Sequence, residues 1–175
     1  MKRVITLAVM LLVAAFAVEA KAQSSQLVGK WKLKDASTLV ADGLKCTKYT
    51  IAFDANGEGE LEIEADGKTA LDDQYTLYLT LEMDIEFTWQ LSGSTLTLSN
   101  IDIEIDYDDL SITPYSEEKN QLIPMLKEVL LADYQENKEE FTSSFIDTNG
   151  DWSVRFIDNN ILLLDNETYI RCQGF

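Results

Sequence analysis

Apolar side chains occupy every second position over a stretch of 17 residues near the middle of the chain. They are Tyr75, Leu77, Leu79, Leu81, Met83, Ile85, Phe87, Trp89 and Leu91. Because successive side chains of a β-strand point to opposite faces, this period of two predicts extended backbone with one buried face. The stretch is about three times as long as a typical strand, and it contains no Gly, Pro or Asn. This stretch could form one long bent strand or two strands with a turn near residues 81–84. We favour two strands.

The same alternation recurs along most of the chain, interrupted by residues that favour turns. Its first example consists of Leu27, Gly29, Trp31 and Leu33, which alternate with lysines. Turn residues divide the rest into strand-like segments at 54–57, 66–67, 92–93 and 158–160. Eight or nine strands without regular strand–helix alternation predict a mainly β chain, folded as a single antiparallel barrel or sandwich.

One segment, between residues 116 and 140, has helical rather than strand periodicity. Ser116 can cap the helix N-terminus, and Glu117 and Glu118 suit its first turn. Pro124 either kinks this helix or marks its true first turn. Apolar residues recur at helical spacing at Leu122, Leu126, Val129, Leu130, Tyr134 and Phe141. We therefore expect one helical insertion near 116–140.

The first 22 residues have the pattern of a secretory signal peptide. Residues 2 and 3 are basic, a mainly apolar run of 15 residues extends from Val4 to Val18, and residues 20–22 read Ala-Lys-Ala, a small-x-small cleavage pattern. The run is shorter than the ~20 residues that span a bilayer. We expect residues 1–22 to be removed and residues 23–175 to form one exported domain, periplasmic or secreted, with no membrane insertion after cleavage.

The charge and the residue types restrict the function. The chain carries 31 acidic and 14 basic residues, a net charge of −17, which opposes binding to nucleic acid. It has no histidine, which removes His-dependent catalytic groups and His-based metal sites. Asp147, Asn149 and Asp151 resemble the start of a calcium loop but lack its distal acidic ligand. We expect no enzymatic activity, no metal and no cofactor.

The two cysteines, Cys46 and Cys172, are an even number in an oxidising compartment, and this predicts one disulfide bond. Cys46 lies near the start of a predicted strand, and Cys172 lies near the end of the last one. The bond would fasten the C-terminal strand to the barrel. Two unpaired thiols are the alternative.

The chain resembles the lipocalin-like domains of small exported bacterial proteins, of the type found in Bacteroidetes. The resemblance rests on the signal peptide, on Gly29-Lys30-Trp31, on the hairpins at 53–57 and 91–98, and on Arg171 in the last strand. It implies a lipocalin-like β-barrel in which Trp31, beside Gly29, closes the floor and Arg171 packs across it. If Arg171 points inward like Trp31, the alternation places Cys172 on the outside. It places Cys46 on the outside as well when Tyr49 and Phe53 point inward.

The resemblance also implies non-covalent binding of a small apolar or amphipathic ligand inside the barrel. The inward aromatic residues expected to contact it are Tyr49, Tyr75, Phe87 and Trp89. Of these, Tyr75 and Trp89 lie nearer strand ends and are the candidates for the barrel mouth. One alternative is a protein-interaction module with a filled core, which would use its acidic face or the helix that carries Tyr134 and Phe141; the sequence identifies no particular protein partner. Another is an α+β fold of the cystatin type.

Overall fold

Eight antiparallel strands close into a ring in the computed structural model, which describes residues 24–38, 40–41, 44–149 and 151–173. The strands of these residues are β1 (Gly29–Leu33), β2 (Val40–Ala41), β3 (Leu44–Phe53), β4 (Glu58–Ala70), β5 (Thr76–Ser92), β6 (Thr95–Thr113), β7 (Asp151–Asp158), β8 (Ile161–Leu164) and β9 (Glu167–Arg171). The predicted signal peptide at 1–22 lies outside the described residues.

The order around the ring is β1-β9-β8-β7-β6-β5-β4-β3, and β3 pairs in turn with β1. Trp31 of β1 makes the closure, because it pairs with Ile51 of β3 on one side and with Arg171 of β9 on the other. The short β2 pairs only with the first residues of β3. This topology confirms the predicted mainly β, antiparallel barrel and excludes an open α+β sheet.

The central alternating stretch is a single strand, so the prediction of two strands was wrong. β5 runs unbroken from Thr76 to Ser92, and its partner β6 is longer still. The bend is made in β6, where the register shifts opposite 78–80 and again opposite 86–88. Asn100 and Asp109 lie in these two bulges with φ of 50° and 47°, a left-handed conformation that Asn and Asp tolerate better than most residues.

Four helical segments of the described residues lie outside the sheet: a turn α1 at residues 24–27, a 3-10 turn (Ala36–Thr38), α2 (Glu117–Asn120) and α3 (Ile123–Asn149). The Ser116 hydroxyl accepts the backbone N–H of Lys119, as the sequence predicted for the N-cap. Pro124 lies in the first turn of α3, which continues beyond the predicted limit at 140. No helix in the described residues has the length and apolar character needed to cross a bilayer.

Helix α3 packs along β6, which has no strand partner for most of its length on that side. β7 pairs only with residues 95–97 of β6. Beyond them, Tyr134 of α3 is buried, and its hydroxyl donates a hydrogen bond to the backbone carbonyl of Ile103. Lys127 and Lys138 form ion pairs of 2.8 Å with Asp106 and Asp102. The helix thus covers a strand edge that would otherwise be open to another chain.

The predicted disulfide bond is absent: both Cys46 and Cys172 are free. The backbone N–H of Cys172 bonds to the carbonyl of Lys30, which is paired with Ala52 of β3. Cys46 lies six residues before Ala52 in β3, which places it roughly 20 Å away at ~3.3 Å per residue. A disulfide needs Cα atoms within about 7 Å, so the two cysteines are too far apart to be joined.

The prediction that Cys46 points outward was also wrong. The pairing of β3 with β4 shifts between Cys46 and Lys48, which makes Thr47 the extra residue of a bulge. A one-residue bulge reverses the alternation, and Cys46 therefore becomes buried on the same side as Ile51 and Phe53. Burial raises the pKa of the Cys46 thiol, which disfavours the reactive thiolate.

Candidate ligand-binding site

The end of the barrel next to the N-terminal helical turn is closed. The guanidinium carbon of Arg171 lies 4.1 Å from the centre of the Trp31 ring. Two guanidinium nitrogens of Arg171 donate hydrogen bonds of 2.8 Å to the carbonyls of Val28 and Asn159. The Trp31 indole N–H donates to the carbonyl of Leu27 at 2.7 Å. These bonds satisfy backbone groups that would otherwise have no partner at the barrel floor.

Gly29 belongs to the same arrangement. Its φ is +129°, and a Cβ atom on it would lie 2.6 Å from a guanidinium nitrogen of Arg171. Only a residue without a Cβ fits at this position without moving Arg171. Gly29, Trp31 and Arg171 are therefore in contact at the floor, in the arrangement that the family resemblance implies.

Two of the predicted ligand contacts, Phe87 and Trp89, lie near this closed end. Both rings pack edge-on against Phe53, with centroids at 5.9 Å and 5.6 Å. The Trp89 indole N–H is bonded to the carbonyl of Glu58 at 2.8 Å, and a Cβ on Gly59 would lie 2.3 Å from the Phe87 ring. Phe87 also borders an acidic groove on the outer surface. These contacts make Phe87 and Trp89 part of the packed core.

Tyr75 lies elsewhere again, in the turn that connects β4 to β5. The Lys119 ammonium is 5.4 Å from the centre of its ring, and Lys119 also pairs with Asp72 of the same turn at 3.6 Å. Met83 of β5 pairs with Ile63 of β4. Tyr75 lies eight residues before Met83, which places it roughly 25 Å from this pair along β5. The hairpin extends well past the barrel mouth, so Tyr75 is not a mouth residue.

The fourth predicted contact, Tyr49, lines a cavity of about 310 Å³ at the open end of the barrel. The cavity is lined by Tyr49, Ile63, Phe145, Trp152, Leu164, Asp165, Glu167 and Tyr169. These residues come from β3, β4, β7, β8 and β9, from the turn between β8 and β9, and from α3. The helix contributes Phe145 and so covers part of the opening. Phe145, Trp152 and Tyr169 were not among the predicted ligand contacts.

Tyr49 and Tyr169 form the aromatic wall of this cavity. Their rings meet edge-on with centroids 6.0 Å apart. Burial raises the pKa of Tyr49 to about 12 and also raises the pKa of Tyr169. Both side chains are therefore neutral at physiological pH.

The charged groups of the cavity are two carboxylates at its rim. One oxygen of Asp165 accepts hydrogen bonds from the backbone N–H and the hydroxyl of Ser153, at 2.8 Å and 3.0 Å. Asp165 has a φ of 52° and makes the turn between β8 and β9. Glu167 opens β9 and is exposed. Among the described residues that line the cavity none is basic.

The acidic residues do not assemble a metal site within the described part of the chain. No group of three or more acidic or cysteine side chains there could hold a metal ion. Asp106 and Asp108 are paired with Lys127, at 2.8 Å and 3.6 Å. The side chains at 147–149, which begin the calcium-like sequence, lie outside the described residues.

A closed antiparallel barrel with a small aromatic cavity at one end is a scaffold for binding small molecules. The family model of the lipocalin-like domain matches residues 27–121, more than half of the 175-residue chain. The chain therefore belongs to the lipocalin-like domain family, which typically binds ligands rather than catalysing reactions. The matched range ends before α3, so it includes Tyr49 and Ile63 but not the other residues of the cavity. No curated protein matches the chain.

Proposed function

We propose that this protein binds a small apolar or amphipathic molecule non-covalently at the open end of its barrel and does not transform it chemically. The observation that carries the proposal is the cavity of about 310 Å³ lined mainly by aromatic and aliphatic side chains. Its volume is about twice that of a 150 Å³ cavity that holds one benzene, so a ligand of about two rings fits. Removal of the ligand's apolar surface from water provides the driving force, at ~25 cal/mol per Å².

The first test is native mass spectrometry of the protein purified from its own host, before and after organic extraction. A bound mass of a few hundred daltons that disappears on extraction supports the proposal and gives the ligand's chemistry. A bare protein leads to the second test, a titration with prodan, a neutral fluorescent probe with two fused rings. A protein that neither carries a ligand nor binds this probe is not a small-molecule carrier.

A pair of tryptophan substitutions locates the probe. Ile63→Trp places a large ring in the cavity, and we expect it to weaken probe binding by at least about tenfold, since the probe then has no room. Ile157→Trp adds the same ring at a residue of β7 that is 55% exposed, and it should leave the affinity unchanged. Equal affinities for both variants would place the probe outside the cavity.

We further propose that the protein is exported, to the periplasm or beyond the cell, after removal of residues 1–22. The support is the basic start, the apolar run and the Ala-Lys-Ala pattern before Gln23. N-terminal sequencing of the protein from its host should begin at Gln23. Recovery of the protein with Met1 or Lys2 at its N-terminus would contradict this proposal.

A second candidate function is docking of a protein partner on α3. Leu122, Met125 and Val129 lie at helical spacing and are exposed by 41%, 54% and 58%. Glu118 of α2 and Glu128 of α3 are also exposed, a combination that suits a basic amphipathic partner. The buried Tyr134 is unavailable for such a contact because it is bonded to β6.

The docking candidate has its own test. Affinity capture from host extracts should recover proteins that bind the wild type and a Glu139→Gln control but not Met125→Glu. If the same proteins bind all three baits, α3 is not a docking surface.

A further inference from the structure

The geometry of the mouth cavity points to an organic cation as its ligand: we propose an ammonium group attached to a small apolar body. The inference rests on the proposed function and specifies the class of molecule bound at that same site. It follows from two independent features of the cavity, its aromatic walls and the charges on its rim.

The walls are suited to a cation. Four of the eight lining residues are aromatic, namely Tyr49, Phe145, Trp152 and Tyr169. An ammonium group is attracted to the negative faces of such rings, most strongly where water is excluded, and cages of aromatic rings are a common means of binding quaternary ammonium groups. The remaining walls, Ile63 and Leu164, are aliphatic and suit the apolar body of the ligand.

The rim is suited to a cation as well. Asp165 and Glu167 are the only charged side chains among the described lining residues, and both are acidic. Hydrogen bonds from Ser153 fix one oxygen of Asp165 in place, so this carboxylate is held at the rim. At short range two carboxylates attract an ammonium group and repel a carboxylate ligand, and the effect grows where water is displaced.

An anionic ligand lacks a counter-charge here. Lys32, Lys34 and Lys45 line a different groove, beside the start of β3. Lys30 and Lys48 are engaged with Glu62 and Glu64 on the outer face of the sheet, at 2.8 Å and 2.7 Å. Tyr49 and Tyr169 are neutral donors, which would bind a carboxylate only weakly beside the two acidic side chains.

The test compares three probes of similar shape that differ in charge. Benzyltrimethylammonium and neopentylbenzene differ only by a nitrogen cation in place of a carbon atom, and phenylacetate carries a negative charge. Each is titrated against the full-length mature protein, and its affinity is measured directly by isothermal titration calorimetry. We expect the cation to bind about tenfold more tightly than its neutral isostere, and phenylacetate to bind most weakly.

Substitutions separate the rim from the overall negative charge of the protein. Glu167→Gln and Asp165→Asn each remove one rim charge, and the Asn side chain can still accept the bonds from Ser153. Each should lower the ratio of cation affinity to neutral affinity by about threefold to fivefold. Glu60→Gln removes the same charge from the outer face of β4 and should leave this ratio unchanged.

The outcomes are distinct. If neopentylbenzene binds as tightly as the cation, or more tightly, the inference that the ligand is an organic cation is wrong, while the proposed binding function stands. If Glu60→Gln lowers the ratio as much as the rim variants do, the preference comes from the overall charge and the inference also fails. If neither the fluorescent probe nor any of the three ligands binds, the proposed function fails together with the inference.

Discussion

The guanidinium carbon of Arg171 lies over the ring of Trp31, 4.1 Å from its centre, although the two residues lie near opposite ends of the described chain. The contact joins the first and last strands of the ring at the closed end of the barrel. It combines a cation–π attraction with burial of Trp31, which is fully inaccessible to solvent. The closed end is therefore a packed floor, and the aromatic cavity lies at the opposite end.

Gly29→Ala tests this floor. The substitution forces a Cβ atom against Arg171, which is held by the carbonyls of Val28 and Asn159. Gly93→Ala is the control, because Gly93 also has a positive φ, of 59°, but nothing lies within 4 Å of its Cβ position. We expect Gly29→Ala to lower the free energy of unfolding by about 1–3 kcal/mol more than Gly93→Ala, measured by urea denaturation. Equal losses would show that backbone strain alone accounts for the effect.

Tyr134→Phe tests how α3 covers the edge of β6. The change removes the hydroxyl that bonds to the carbonyl of Ile103 and leaves a buried acceptor without a partner. We expect a loss of about 1–2 kcal/mol in the free energy of unfolding. Tyr115→Phe is the control, since Tyr115 is 81% exposed, and it should change stability by less than about 0.5 kcal/mol. A Tyr134→Phe variant as stable as this control would mean that the hydroxyl does not contribute to stability.

The tyrosine pair of the cavity predicts a loss of stability at alkaline pH. Burial raises the pKa of Tyr49 to about 12 and raises that of Tyr169, whereas tyrosine in an unfolded chain has a pKa of about 10. The folded protein holds these protons more tightly, so their contribution to stability is complete below about pH 10. It is lost as the pH rises from about 10 towards 12, because ionisation then favours the unfolded chain.

The measurement is the change in the free energy of unfolding between about pH 8 and pH 11 for the wild type and for Tyr49→Phe. The variant should lose less stability over this interval, and Tyr115→Phe should behave as the wild type does. Lysines also titrate in this range, but they are common to all three proteins. Identical losses in the wild type and Tyr49→Phe would contradict the prediction.

The distance between the cysteines makes a further prediction. Protein purified without reductant and then unfolded should release two reactive thiols per chain. Cys172→Ser should change stability by less than about 0.5 kcal/mol, whereas Cys46→Ser, which places a hydroxyl in a buried site, should cost about 1–2 kcal/mol. The absence of free thiols, with a similar loss of several kcal/mol in both variants, would show that a disulfide forms.

Much of the barrel follows from local sequence, because alternating side chains and turn residues determine strands directly. The ends and bends of the strands do not. The length of the central stretch favours two strands, although no turn residue divides it, whereas the structure has the single strand β5 and places the two bulges in β6, at Asn100 and Asp109. Asp66 and Gly67 likewise favoured a turn, yet they lie inside β4. Pairing with a neighbouring strand overrides these local signals.

The cavity was predictable only in part. The alternation of side chains selected Tyr49 as an inward residue, and Tyr49 lines the cavity. The same alternation also selected Tyr75, whose strand extends past the barrel mouth, and Trp89, which packs on Phe53. Distance along a strand does not reveal which end of the barrel a residue occupies. Trp152 and Tyr169 could have been selected from the sequence, since each is an aromatic residue of a strand segment that follows the helix or a turn. The sequence could not have selected Phe145, because its place at the cavity depends on how α3 packs.

Closure of the ring through β1 gives the final strand an importance out of proportion to its length. β1 and β8 each use β9 as a neighbour, so a chain that ends before Glu167 has two strands with exposed hydrogen-bonding edges. Such edges recruit strands from other molecules. A truncation of this kind, or a pause in synthesis before the last codons, would therefore convert a closed barrel into a template for intermolecular pairing.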